Sequence, residues 1–371
     1  MKAVITRDNF KKVLGLVSHV VGTAASLPIL SNILLQTEKG RIKISATNLE
    51  MGLTCWLGGR VEEEGTVTLP ARTINEYVST ILEEQVILNL KQGNLIVSTD
   101  TSSASIKTLP SEEFPLIPKL TSAGKISLGA EELRSALQEV IFAAAAPEAQ
   151  PELSGVYTYL DKNNLYFVST DRYRLTERTV PVEQEKVEGD FKPIIIPLKT
   201  AQEVVRLLAS VADSSALITI NQGENQVLFN LPDIELVSRL VDGAFPDYKE
   251  IIPAEFASTA VLPRFELMQA IKSAGLFAST GRSIKLNFKP SDGQVEVSAA
   301  SGDIGESVAK ISGEVTGQAQ ESVFNYKYLL DYLGNILDEK VVFKAINDNS
   351  PAILTPSGRQ NNLYLVMPVK N

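Results

Sequence analysis

Lys2-Ala-Val-Ile5 reads as a short apolar strand, and Thr6 to Val21 follows it as a helix. Within that helix Phe10, Val13, Leu14, Val17 and Val21 recur at i, i+3, i+4, i+7 and i+11, one face of a 3.6-residue period. The pattern returns twice. Lys125-Ile-Ser-Leu128 precedes Ala130 to Ala143, whose Leu133, Ala136, Leu137, Val140 and Ile141 share a face. Thr259-Ala-Val-Leu262 precedes Pro263 to Phe277, with Leu267, Ala270, Ile271, Ala274 and Leu276 on one side. Pro263 suits a first helical turn, where a missing N–H costs nothing. With Phe10, Leu133 and Leu267 as equivalents, the spacings are 123 and 134 residues.

A second helix repeats at a similar interval. Val67-Thr-Leu-Pro70 leads into Ala71 to Leu82, Ile194-Ile-Ile-Pro197 into Leu198 to Ala209, and Ser322-Val-Phe-Asn325 into Tyr326 to Leu337. Pro70, Pro197 and Asn325 are 127 and 128 residues apart. Between the helices lie apolar or alternating segments such as Ile42-Lys-Ile-Ser-Ala46, Leu165-Tyr-Phe-Val-Ser169 and Val295-Glu-Val-Ser-Ala299. Gly40, Gly93, Asn163-Asn164, Gly223 and Asp292-Gly293 separate them as hairpin turns. The expectation is an α+β chain of three similar domains, each with two helices and mostly antiparallel strands, at 1–120, 125–252 and 258–371. The stretches 116–124 and 251–258 carry the Pro, Ser and small residues of linkers.

Composition narrows the function. The 371 residues hold 35 Lys+Arg against 44 Asp+Glu, a net charge of −9, which argues against a tight general DNA binder by bulk charge. A single cysteine, Cys55, rules out an intrachain disulfide and a cysteine-based zinc cluster. A single histidine, His19, rules out two-histidine metal sites. Neither a Walker A sequence nor a G-x-G-x-x-G is present. No secretory signal or membrane span is legible, and a cytoplasmic protein is expected. Catalytic residues, metal ligands and cofactors are expected to be absent.

Basic residues look arranged only on helices. Lys199, Gln202 and Arg206 fall at i, i+3 and i+7, opposite Ala201, Val204, Val205 and Leu208. Arg72 and Lys327 open the corresponding helices, and Lys11, Lys12, Arg134 and Lys272 lie on the polar faces of the first helices. Any solvated helix face carries such residues. A shared basic surface built from equivalent helices would instead give local positive potential on an acidic protein. Three short segments stand apart from this pattern: Thr170-Asp-Arg-Tyr-Arg-Leu175, Phe245-Pro-Asp-Tyr248 and the apolar ending Leu363-Tyr-Leu-Val-Met-Pro-Val369.

Taken in order, these segments resemble the bacterial DNA polymerase III beta subunit family, the sliding clamps. Ser26-Leu-Pro-Ile-Leu-Ser-Asn-Ile-Leu-Leu35 is similar to that family's first-domain signature, and Thr47-Asn-Leu-Glu50 to its T-D-L-E, with Asn48 for the aspartate. Leu69-Pro-Ala-Arg72, Thr108-Leu-Pro-Ser-Glu-Glu-Phe-Pro115, Leu240-Val-Asp-Gly-Ala-Phe-Pro-Asp-Tyr248, Phe324-Asn325 and Val366-Met-Pro368 also match. Where the family often has T-D-G-H-R-L, this chain places Arg172 and Tyr173.

The resemblance implies a clamp fold closing head to tail into a homodimeric ring around duplex DNA, without sequence specificity. It implies DNA-facing Arg72, Arg134, Lys199, Gln202, Arg206, Lys272 and Lys327. A partner-peptide pocket is implied at Leu153, Thr170, Arg172, Tyr173, Arg174, Leu175, Pro246, Ile251, Val366, Met367 and Pro368, with Asn325 and Tyr328 at its rim. Ala104, Ile106, Leu276 and Phe277 are implied at the dimer interface. The implied partners are the polymerase III catalytic subunit, the clamp loader, and other polymerases and repair proteins carrying short apolar motifs. An acidic homo-oligomeric scaffold that never encircles DNA is the rival reading. A ligand-binding protein with an apolar pocket between the second and third domains is a third.

Overall fold

The computed structural model describes residues 1–22, 27–38, 40–118, 120–121, 123–146, 150–278 and 281–369. Ser26 of the first-domain signature, Lys119 and Ser122 of the first expected linker, and the two last residues lie outside them. Six strand–helix steps organise the chain. Lys2–Thr6 leads into α1 (Arg7–Val17), Thr66–Pro70 into α2 (Ala71–Thr80), and Gly124–Gly129 into α3 (Ala130–Gln138). Ile194–Pro197 leads into α4 (Leu198–Leu208), Ser258–Pro263 into α5 (Arg264–Gly275), and Gln320–Asn325 into α6 (Tyr326–Asn335). Each helix follows its strand with no intervening loop, because a capping residue switches the backbone from extended to helical. Pro70 and Pro263 hold that cap position. Pro263 is thus the residue before the helix, a correction to its expected place inside the first turn. Asn325 caps α6 by accepting the Lys327 N–H at 3.0 Å.

α1, α3 and α5 end short of their apolar periodicity. Ser18 stops α1, its hydroxyl donating to Leu14 O at 2.6 Å. Beyond α3 the chain tightens into a 3-10 turn at Ile141–Ala143. Val140 and Ala143 stay buried there, so the pattern of burial outlasts the helix.

The chain condenses into two compact units. The first comprises 1–131, 185–191 and 206–240, and the second the remaining residues, so the middle third of the repeat contributes to both. The first unit has a five-stranded sheet, ordered Arg60–Glu63, Lys2–Thr6, Gln85–Lys91, Asn94–Ser98 and Ser103–Lys107. Its nine-stranded sheet joins the first and middle thirds by pairing Met51–Gly58 with Ile234–Arg239, Met51 opposite Ser238 and Cys55 opposite Ile234. The second unit has a nine-stranded sheet in which Arg174–Pro181 pairs with Asn362–Val366, Arg174 opposite Val366 and Leu175 opposite Leu365. Its four-stranded sheet is ordered Gly305–Ser312, Gln294–Ser301, Ser283–Lys289 and Gln320–Asn325. Phe288 and Phe324 meet Phe343 edge-on at 5.4 and 5.7 Å, and Tyr332 stacks on Tyr364 at 4.5 Å.

A buried ionic knot lies beneath the second seam. Glu139 accepts from Arg359 at 2.9 and 3.1 Å and from Asn362 at 2.8 Å, and its carboxylate lies 3.2 Å from Arg178. Asp338 holds the other side of Arg359 at 2.9 Å. Burial holds the Arg178 guanidinium below its ordinary value. For Arg359, burial is outweighed by its bonds to Asp338 and Glu139, and its value rises. Removing one member leaves the others buried and uncompensated. Glu139→Ala is therefore expected to cost about 3–5 kcal/mol, checked by urea unfolding, and Glu139→Gln distinctly less because it keeps a polar partner for Asn362.

Candidate partner-docking groove and helix cations

The candidate site centres on the hairpin end Thr170–Arg174. Thr170 Oγ1 donates to Arg174 O at 2.7 Å and accepts the Arg172 N–H at 3.1 Å. Asp171 Oδ1 accepts the N–H groups of Tyr173 and Arg174, both at 3.0 Å. These bonds hold Arg172 at φ 77°, in the left-handed region that favours glycine. The C-terminal strand is carried past this turn when Met367 N–H donates to Tyr173 O at 2.8 Å.

Strand alternation then sorts the side chains. Leu175 and Leu365 lie on one face, in a cluster with Tyr159, Val168 and Tyr248 against which Met367, Ile252 and Phe245 pack. Val366 belongs to the opposite core, with Tyr332, Tyr364 and the flanking Tyr328 and Phe142. The expected pocket is therefore split. Leu175 and Met367 share a face, and Val366 backs the sheet behind them at 0% exposure. Leu365, rather than Val366, shares the Leu175 face, together with Ile252, Phe245 and Tyr248. The run Leu363 to Val369 concealed this, since both faces of that strand are covered and its sequence shows no alternation. Thr170 is buried within its own turn, while Leu153 lies buried under Ala145, whose N–H donates to Leu153 O at 3.0 Å. Pro368 is buried too, and Tyr173, Ile251, Arg172 and Pro246 are the exposed members.

Arg174 is not the free anchor its position suggested. Its guanidinium donates to Asp171 at 3.0 Å, Asp331 at 2.5 Å and Phe142 O at 2.9 Å, and lies 4.5 Å from the Tyr328 ring centroid. Burial opposes its charge, yet the Asp331 hydrogen bond carries its value upward. It ties α6 to the hairpin. Asn325, expected at the rim, serves as the α6 cap.

The cations divide in the same way. Lys199, Gln202, Lys272 and Lys327 are exposed on their helices. Arg72 is exposed as well and pairs with Glu76 one turn on at 2.7 Å. Arg134 is half-buried and donates to Gln138 at 3.2 Å. Arg206, expected to face DNA, is half-buried, and its guanidinium donates to Leu16 O at 2.8 Å, at the C-terminal end of α1, where a cation also suits the helix dipole. Among the interface residues, Leu276 is 74% exposed and Phe277 half-buried, whereas Ile106 is a core residue at 6%. What Ser103–Lys107 presents at the sheet edge is therefore its backbone rather than Ile106.

The class is set by this fold, a three-part α+β chain whose sheets run through its repeat seams. Profiles of the DNA polymerase III beta subunit N-terminal, central and C-terminal domains match residues 1–118, 127–247 and 249–370. A beta sliding clamp of Pseudomonas putida is 30% identical over 379 residues, with the whole of both chains covered. A solved DNA polymerase III beta subunit from Thermotoga maritima is 28% identical, covering 100% of this chain and 99% of that one, with a TM-score of 0.91. A sliding clamp from Pseudomonas aeruginosa, solved bound to griselimycin, is 27% identical over all of both chains, with a TM-score of 0.94. The chain belongs to the DNA polymerase III beta subunit family, the sliding clamps.

On the Leu175 face, Tyr248 donates to the Glu177 carboxylate and meets the Tyr159 hydroxyl at 2.8 Å. Burial first, then the Glu177 charge, pushes the Tyr248 hydroxyl far above its ordinary value. The unfolded chain releases this proton near pH 10 and the folded chain keeps it, so stability is held below about pH 10 and falls above it. Tyr248→Phe should flatten that alkaline decline in unfolding free energy, measured between about pH 9 and 11.

Proposed function

We propose that two copies of this chain close head to tail around duplex DNA, and that the ring tethers a DNA polymerase to its template without catalysing any reaction itself. The observation that carries this is the ordered match of all three beta-subunit domains along the whole chain. The acidic net charge fits such a role, because a ring held by topology needs only weak phosphate contacts and must slide. Exposed Lys199, Lys272 and Lys327, with Gln202, Arg72 and Arg134, supply those contacts in this reading. The edge strands Ser103–Lys107 and Gly305–Ser312, with Leu276 and Phe277, supply the contact between copies. The chain would work in the cytoplasm. The protein should be retained on nicked circular DNA and lost when the circle is linearised, and Lys199→Glu with Lys327→Glu should weaken retention most at low salt. Retention that survives linearisation would favour the scaffold reading instead.

The groove around Leu175, Leu365 and Met367 is assigned to short apolar peptides of the polymerase III catalytic subunit, the clamp loader, and other polymerases and repair proteins. Griselimycin bound to the Pseudomonas aeruginosa clamp is consistent with such a ligand. Met367 adjusts its shape to different side chains, and Tyr173 offers a large exposed ring. Burying one apolar side chain supplies about 1.5–3 kcal/mol, most of it offset by ordering, which suits a site shared in turn. Tyr173→Ala with Met367→Asp should lower peptide affinity about tenfold or more by fluorescence anisotropy. Tyr173→Ala alone should leave thermal stability near that of the parent, since Tyr173 is exposed.

A further inference from the structure

The first unit repeats the groove's framework bond for bond. Thr47 Oγ1 donates to Met51 O at 2.9 Å and accepts the Leu49 N–H at 3.1 Å. Asn48 Oδ1 accepts the N–H groups of Glu50 at 3.0 Å and Met51 at 2.9 Å. Leu49 sits at φ 74°, beside 77° for Arg172. Arg239 N–H donates to Glu50 O at 3.0 Å, as Met367 N–H does to Tyr173 O. Met51 faces Ser238 across the seam as Arg174 faces Val366. Thr47, Leu49, Glu50, Met51 and Arg239 therefore stand where Thr170, Arg172, Tyr173, Arg174 and Met367 stand in the second unit.

The side chains on this copied frame differ in a way that points to a ligand. Gly52 replaces Leu175, and a Cβ there would lie 2.9 Å from Ile117, so the glycine admits Ile117 as a wall. A cavity of about 280 Å³ results, bounded by Leu49, Gly52, Leu116, Ile117, Val237 and Arg239. It lies at the small end of ligand pockets, which run from about 300 to 1,000 Å³, and so takes one large apolar side chain. Leu116 is 95% exposed and Leu49 48%, an apolar rim left open to water. Exposed Arg239 stands at that rim in the place of Met367; Glu50 is on the same lining, yet among the described residues the Arg239 guanidinium makes no ion pair. An apolar socket beside a guanidinium with no ion-pair partner complements an apolar side chain next to a carboxylate.

We propose that this cavity is a second docking site, for a short linear peptide in which a leucine or phenylalanine is followed by an acidic residue. The proposal takes its ligand class from the reading of the second-unit groove. The chain's four methionines allow the two to be told apart: Met51 lines the first-unit cavity, Met367 the second-unit groove, and Met1 and Met268 neither. Full-length protein with ¹³C-methyl methionine would be titrated with acetyl-Ala-Leu-Phe-Glu-amide and with its Gln counterpart, read by NMR. The Met51 signal should move saturably, about fivefold more tightly for the Glu peptide, and Arg239→Gln should abolish that preference while Met268 stays still. A Met51 signal that stays put while Met367 saturates would overturn the proposal. So would a Met51 shift that persists in Leu49→Asp, an exposed position where the variant should fold. Movement of Met51 without movement of Met367 would instead support this site and count against the second-unit reading.

Discussion

Backbone pairing across the repeat seams is the constraint on which the rest of the molecule depends. Arg174–Pro181 meets Asn362–Val366, and Met51–Gly58 meets Ile234–Arg239, each in a single antiparallel register. A slip of one residue would exchange the two faces of the joining strand and bring Val366 and Tyr364 to the side now held by Leu365 and Met367. Register is fixed on both sides at once in the second unit. The aromatic core claims Val366 and Tyr364, while Leu175, Tyr248 and Leu365 claim the other face. The Glu139 knot adds a polar demand, because Arg178, Asn362 and Arg359 must all reach one carboxylate. Such a knot contributes little net stability over an apolar substitute. Its geometry nonetheless admits only one alignment of the two strands, and the groove inherits that alignment.

How much of this was legible follows from the range of the interactions. The six strand–helix steps were readable because amphipathic periodicity and capping residues are local, and each helix was placed to within a few residues of its observed end. The seams were not readable, since Arg174 and Val366 are nearly two hundred residues apart and nothing local announces their pairing. The same distance hid the fates of two arginines. Arg206 has helical spacing from Lys199, yet it reaches the end of α1. Arg174 sits in a charged turn that looks exposed, yet Asp331 and Phe142 enclose its guanidinium. Glu139 gave no signal at all, a lone acid just past a helix end that proves to be the centre of a network. Sequence reading grouped Leu175 and Val366 in one pocket although they lie on opposite faces of the sheet, because covered strands lose the alternation that marks their faces.

The hairpin end that opens each seam shows how one frame can carry different chemistry. A non-glycine residue in the left-handed region costs about 1–2 kcal/mol. In both copies a threonine hydroxyl and an Asn or Asp carboxamide or carboxylate oxygen hold the turn through four hydrogen bonds. Those bonds, about 0.5–1.5 kcal/mol each, offset the strain without help from the strained residue's own side chain. Its identity is thereby released, as Leu49 in one copy and Arg172 in the other, and so is that of the next residue, Glu50 or Tyr173. The turn fixes where the rim lies, and the released positions decide whether it is apolar, aromatic or charged. A frame held by hydroxyl and Asn or Asp groups can thus be kept constant while the surface it presents is altered.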